Sequence, residues 1–140
     1  MPTRTATAEW KGGVKGQGSF SGQTGLAAEY SYASRFESGA GSNPEELLAA
    51  AEASCYSMAL SFALEKAGTP VTSVQTKADC TIEKVGEGFK ITRMMLTVRA
   101  SVPNADPAKF EAIAQATKEG CPVSSALKGN VQIELDAKLV

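Results

Sequence analysis

The sequence contains no histidine. That absence removes Ser-His-Asp and Cys-His hydrolase chemistry, histidine metal sites and imidazole acid–base work together. An activated thiol in this chain has to rely on arginine, lysine, a carboxylate or a helix N-terminus. An excess of either charge is also missing. Fourteen basic residues stand against 15 acidic ones, so there is no electrostatic footprint for nucleic acid or an anionic membrane. The longest apolar stretches are broken by Glu, Lys or Ser within a few residues, and no membrane-spanning segment is expected. The start, MPTRTATAEW, lacks an apolar h-region, so no signal peptide is expected and the cytoplasm is the expected compartment. Cysteine is scarce: Cys55, Cys80 and Cys121. An odd, low, widely spaced count is not a secreted disulfide framework, and without C-x-x-C neither a zinc ribbon nor a thioredoxin motif is present. In a reducing compartment these residues are thiols by default, and any disulfide is transient and catalytic.

What is there suits one domain, residues 1–140. The length is sufficient for a real core, and 43% apolar and 21% charged residues are ordinary for a soluble globular chain. The first third is rich in Gly, Ser, Thr and aromatics. Residues 3–10, 16–22 and 26–32 alternate weakly between turn residues, which predicts an antiparallel meander. Residues 38–42 (SGAGS) read as a loop. Asn43-Pro44-Glu45-Glu46 then opens a helix: Asn43 as N-cap, Pro44 at the first position, Glu46 completing a capping-box pattern. The helix is expected to end before Gly68, with an apolar buried stripe of Leu47/Leu48, Ala51, Cys55, Met58/Ala59 and Phe62. Residues 71–84 and 89–102 read as a hairpin around Val85-Gly86-Glu87-Gly88. Asp106-Pro107 caps a second helix to about Glu119, with Phe110, Ile113, Ala114 and Thr117 on one face. A short helical piece follows Cys121-Pro122, and residues 131–138 alternate as a closing strand. The pattern is α+β, a long helix packed on antiparallel strands.

The cysteines differ in setting. Cys55 lies on an apolar helix face, where a thiol serves as a small hydrophobe or does chemistry. Cys121, between Gly120 and Pro122, sits at an N-cap near unpaired N–H groups and the positive end of a dipole, which favour a thiolate; the alternative is an ordinary turn cysteine. Cys80 on its strand reads as structural. Arg35, alone, is a surface arginine; beside a buried thiol it would stabilise the thiolate. Glu45 and Glu46 suit a helix start, and one of them can orient Arg35 through a bidentate pair.

Taken together, Ser42–Leu60 (SNPEELLAAAEASCYSMAL) and the downstream Cys121-Pro122-Val123-Ser124 resemble the osmotically inducible protein C / organic hydroperoxide resistance (OsmC/Ohr) family, closest to its OsmC branch. The resemblance covers nearly the whole chain, including the Arg35-Phe36-Glu37 segment. One departure is Glu52, where close relatives tend to carry histidine; three residues before Cys55, it is expected at the pocket rim. Cys80 is not part of the family pattern. The resemblance implies an intertwined homodimer and a thiol peroxidase acting on organic hydroperoxides without a cofactor or metal. Cys55 would be the peroxidatic cysteine, Cys121 the resolving one, Arg35 with Glu45 the activating pair, and an external dithiol, lipoyl-type by resemblance, the reductant. Met58 and Phe62 are expected to form an apolar substrate pocket. Glu45 and Cys55 lie ten residues apart, about 15 Å along a helix, so Glu45 does not touch the Cys55 of its own helix. Either Arg35 bridges part of the gap or the site is composite across a dimer interface; the second is the expectation. Two other readings stay open: a non-enzymatic dimer that binds a hydrophobic ligand, and a peroxide sensor that relays its oxidation to a partner.

Overall fold

A computed structural model describes all residues, 1–140. The chain divides into two compact units, Met1–Glu46 and Leu47–Val140. In the first, β1 (Ala6–Lys11), β2 (Gln17–Gly22) and β3 (Ala27–Tyr30) form the expected antiparallel meander, in the order β1-β2-β3. Gly18 is paired with Trp10 on one side and Tyr30 on the other. A Cβ there would come within 2.6 Å of both rings. Glycine therefore lets Trp10 and Tyr30 close over β2, with ring centroids 5.4 Å apart.

A short helix not expected from the sequence, α1 (Tyr32–Phe36), follows. Its capping box uses two serines: Ser31 Oγ accepts from the Ser34 N–H at 3.1 Å, and Ser34 Oγ accepts from the Ser31 N–H at 2.8 Å. Asn43 Nδ2 donates to the Ser34 carbonyl at 2.9 Å and ties the loop back to α1. The buried residues of this unit are Gly18, Ser34, Ser42 and Glu45. No large apolar side chain is buried in it.

Helix α2 (Pro44–Lys66) begins in the first unit and runs on in the second. Asn43 caps it, accepting from the Glu46 N–H at 2.8 Å. The reciprocal arm of the expected capping box is replaced: the Glu46 carboxylate accepts from Ser42 Oγ at 3.0 Å. Gly68, at φ +89°, ends the helix. The Thr69 N–H bonds to the Leu64 carbonyl and the Gly68 N–H to the Glu65 carbonyl, the Schellman arrangement that satisfies otherwise orphaned carbonyls.

The buried stripe of α2 is Glu52, Tyr56, Leu60 and Leu64, a repeat of four. This corrects the expected stripe. Ala51 is exposed, Met58 is 56% and Phe62 61% exposed, and Cys55 lies on the border between the two faces. The helix is apolar on all sides, so periodicity could not select its inward face. By length and composition α2 is also apolar enough to cross a bilayer, contrary to the expectation that no segment is. Its buried Glu52 and the packing of Tyr56, Leu60 and Leu64 on the sheet make it a core helix.

In the second unit, β4 (Ser73–Val85) and β5 (Gly88–Ser101) form the expected hairpin, turned at Gly86 with φ +63°. Helices α3 (Pro107–Gly120) and α4 (Pro122–Leu127) lead to β6 (Gln132–Leu139). Asp106 caps α3, accepting from the Ala108 N–H at 3.0 Å. β6 pairs with β5 in parallel, so this sheet is mixed, not wholly antiparallel as expected. The helical crossover between the two strands is what makes a parallel pairing reachable. Met94, Leu96, Val98 and Ala100 alternate along β5 onto one face and meet Tyr56, Leu60, Leu64, Phe110 and Ala114. Each such burial is worth about 1.5–3 kcal/mol for a large side chain. Cys80, opposite Met94 in the hairpin register, packs against this core.

Candidate active site

The predicted site residues fall into two clusters, one in each compact unit. In the second unit α2 and α4 bring the two outer cysteines together. Cys121 is buried at the N-cap of α4. Its N–H donates to the Thr117 carbonyl at 2.9 Å, and Pro122 fixes the first helical position. One element away, Tyr56 Oη donates to the Ala114 carbonyl at 2.9 Å and fastens α2 to α3. Burial pushes the Tyr56 phenol up, so it is a neutral donor. The Cys121 thiol then points at Cys55, with the two sulfurs 2.9 Å apart. Both are thiols, Cys55 partly exposed and Cys121 buried.

Burial pushes the Cys55 thiol up, and the neighbouring Cys121 and the charge of Glu52 push it the same way. The one opposing influence is the backbone N–H of Val123, in the first turn of α4. The donors of that turn were expected to serve Cys121; Cys121 makes no side-chain capping bond, and Val123 serves Cys55 instead. None of the groups acting on Cys55 is a cation.

Beneath the thiols lies Glu52, fully buried and not at a rim as expected. Its Oε1 accepts a hydrogen bond from Ser124 Oγ, while Oε2 is buried with no partner. Desolvation holds this carboxyl above the usual carboxylate range, against the Ser124 bond. In the sequence Ser124 stands out only as the end of Cys121-Pro122-Val123-Ser124, with no role assigned to it. Its position three residues past Cys121, matching Glu52 three residues before Cys55, was the available signal.

In the first unit Arg35, from α1, meets Glu45, from the first turn of α2. Nε and Nη2 both donate to Glu45 Oε1, at 3.0 and 2.9 Å. Glu46 is engaged by Ser42 instead. Of the two acids at this helix start, Glu45 is therefore the partner of Arg35. Glu45 is 5% exposed, and its Oε2 is buried without a partner. Arg35 also lies over the Phe36 ring, 5.1 Å from its centroid. It lines a groove of about 460 Å³ with Trp10, Val14, Tyr30, Tyr32 and Phe36. The grouping of these aromatic residues around Arg35 was not legible in the sequence, because no spacing rule links strand and helix positions across a turn. Met58 and Phe62, the residues expected to form the substrate pocket, are each more than half exposed on α2. No group of three or more Cys, Asp or Glu forms that could hold a metal ion.

Chemically, the second unit presents a reachable thiol with a second thiol at its back. This is the arrangement needed to form, and later break, a disulfide without moving the backbone far. Residues 37–136 match the model of the OsmC family, described as OsmC-like protein. The chain is 42% identical to peroxiredoxin OsmC of Escherichia coli strain K12 over 134 residues, 94% of either chain. It is 30% identical over 99 residues to the organic hydroperoxide resistance protein OhrB of Bacillus subtilis, covering 70% of this chain and 71% of that one. The crystal structure of OhrB superposes with a TM-score of 0.73 at 28% identity, over 96% of this chain and 98% of the other. An organic hydroperoxide resistance protein from Elizabethkingia anophelis shares the fold, with a TM-score of 0.77 at 24% identity over 100% and 98% of the two chains.

Proposed function

The chain belongs to the OsmC-like family, and from that premise we propose that it is a thiol peroxidase reducing organic hydroperoxides through a Cys55–Cys121 disulfide cycle. The observation that carries the reading is the 2.9 Å approach of the two sulfurs. Their unequal exposure supports the division of labour: Cys55 is partly exposed, and Cys121 is buried against it.

The cycle runs as follows. The Cys55 thiolate attacks the distal peroxide oxygen; an S–O bond forms and the O–O bond breaks. The alkoxide takes a proton and leaves as the alcohol. Cys121 Sγ attacks the resulting sulfenic acid, the S–O bond breaks, and the hydroxyl leaves with the Cys121 proton as water. An external dithiol, of lipoyl type, reduces the disulfide by exchange. No cofactor takes part.

The burial of Cys55 disfavours its thiolate, so the first step needs a cation. Arg35, held by Glu45, fills that role in this reading, and it is supplied across the interface of a homodimer. Two observations support the dimer. The first unit buries no large apolar side chain of its own, and α2 leaves Met58 and Phe62 exposed. The aromatic groove beside Arg35 suits the apolar part of an alkyl hydroperoxide.

The experiment is a thiol count after one equivalent of cumene hydroperoxide, with disulfide mapping by peptide mass. Loss of two thiols and a Cys55–Cys121 peptide are expected. Survival of all three thiols would end the peroxidase reading.

A further inference from the structure

Two charged side chains of this protein are buried, Glu45 and Glu52. Glu45 has a task in the proposed cycle and Glu52 has none. Its setting is nonetheless built. It stands one helical turn before Cys55, wholly excluded from solvent, with one oxygen on Ser124 and the other aimed at no donor. Ser124 belongs to α4, the six-residue helix that carries Cys121 at its N-cap and Val123 in its first turn. A helix so short has little stability of its own and depends on tertiary contacts for its place. Both groups that α4 presents to Cys55, the Cys121 thiol and the Val123 N–H, therefore depend on where α4 sits.

We propose that Glu52 is a positioning residue for the resolving step: through Ser124 it clamps the first turn of α4 onto α2 and so holds Cys121 Sγ against Cys55. The inference rests on the two-cysteine reading of the site. In that step Cys121 Sγ displaces the hydroxyl of the Cys55 sulfenic acid, a reaction that requires the two sulfurs in line and in contact. Desolvation favours the neutral carboxyl of Glu52 and the Ser124 bond favours its carboxylate, and a charge there opposes the Cys55 thiolate. The titratable groups beside Glu52 are the Cys55 thiol of its own helix and, one turn on in the same buried stripe, the Tyr56 phenol; Cys121 meets Cys55. Lys118, Glu119 and Lys128, which border Ser124, are paired among themselves, Glu119 with Lys128 at 3.1 Å and with Lys118 at 3.8 Å. β6 contributes Ile133 at that border, which does not titrate.

The test compares wild type with Glu52→Gln, Glu52→Ala and Ser124→Ala. Oxidation of Cys55 and formation of the disulfide are followed separately by rapid mixing with cumene hydroperoxide and trapping of sulfenic acid with dimedone. Glu52→Gln preserves the shape and the bond, so disulfide formation should stay near the wild-type rate. The pH profile of Cys55 alkylation should move to lower pH, since the opposing charge is gone. Ser124→Ala and Glu52→Ala should slow disulfide formation by about tenfold or more, the scale expected when reacting atoms lose their alignment. Oxidation of Cys55 should change far less. Equal slowing of both steps, or no slowing of the second, would overturn the clamp, as would equally slow disulfide formation in Glu52→Gln and Glu52→Ala. Diamide-driven pairing of Cys55 with Cys121 reads the clamp without peroxide. Slower pairing in Ser124→Ala, with a wild type inert to peroxide, would keep the clamp and sink the peroxidase; wild-type pairing rates in Ser124→Ala would sink the clamp.

Discussion

Arg35 places two guanidinium nitrogens on a single oxygen of Glu45, Nε at 3.0 Å and Nη2 at 2.9 Å. The pair is not the fork-to-fork form, in which each nitrogen takes its own oxygen. The second oxygen of Glu45 is buried without a partner. Removing Arg35 therefore leaves a buried carboxylate with neither oxygen paired. Arg35→Ala is expected to lower stability by about 1–3 kcal/mol, toward the lower end because the arginine side chain is 35% exposed and screened. It should also slow Cys55 oxidation by about a hundredfold, the scale of losing one charge-stabilising donor. Arg35→Lys keeps the charge but not the two planar donors, and should fall between. Stopped-flow oxidation and thermal unfolding check both. A wild-type oxidation rate in Arg35→Ala would remove Arg35 from the activating role.

Loss of Cys121 should leave the first half-reaction intact and abolish the second. In Cys121→Ser one equivalent of hydroperoxide is expected to give a dimedone-reactive Cys55, and excess peroxide should carry it on to sulfinic and sulfonic acids. Cys55→Ser should consume no hydroperoxide. Cys80→Ser should cycle as wild type does, because Cys80 packs on the sheet core and is given no part in the cycle. Intact-mass spectra after timed exposure separate these cases. Turnover by Cys121→Ser equal to wild type would show that Cys121 does not resolve Cys55.

How much of this was legible in the sequence depended on whether a residue acts locally. Asn43, Asp106 and Gly68 set helix ends through bonds to their own neighbours, and each stands where the sequence placed it. Gly86 did the same for the hairpin. The inward face of α2 was not legible, because apolar side chains surround that helix and Glu52, in the middle of its inward side, argued for the outward side. Helix α1 was missed because its capping box pairs Ser31 with Ser34, where a glutamate at the second position is the familiar signal. The direction of β6 was equally hidden: alternation reports a strand and says nothing of which way it runs. The two cysteines were found through their surroundings, yet the partners that α4 gives to Cys55 and Glu52, Val123 and Ser124, are tertiary facts.

Glu52 should also leave a mark on the pH dependence of stability. Burial raises its carboxyl in the folded state. A raised group contributes stability that is fully present below the unfolded value, about pH 4.3 for glutamate. That contribution is lost as pH climbs through the folded value, because the unfolded chain gives up its proton first. Wild type should therefore lose stability relative to Glu52→Gln as pH rises from 4 toward neutrality, with the two closest at the acid end. Urea midpoints measured across that range give the difference directly. A constant gap between the two proteins would mean that Glu52 titrates normally.

The exposed side of α2 bears on the assembly. Met58 and Phe62 are each more than half exposed, one turn apart on a helix whose other face is fully committed to the core. Ala51 extends the same surface toward the helix start. Contiguous apolar surface of this kind marks an interface more often than free surface, and in the proposed homodimer it lies against the second copy. Phe62→Glu adds a charge that must be desolvated there. It is expected to shift the protein from dimer to monomer in sedimentation at micromolar concentration, and to reduce hydroperoxide turnover in parallel, because Arg35 then no longer reaches the partner's thiol. The Cys55–Cys121 pair lies within one chain, so diamide should still close that disulfide in the monomer. A Phe62→Glu protein that stays dimeric would take this face out of the interface. A monomer with full turnover would overturn the composite site, leaving the arginine of the same chain as the one that activates Cys55.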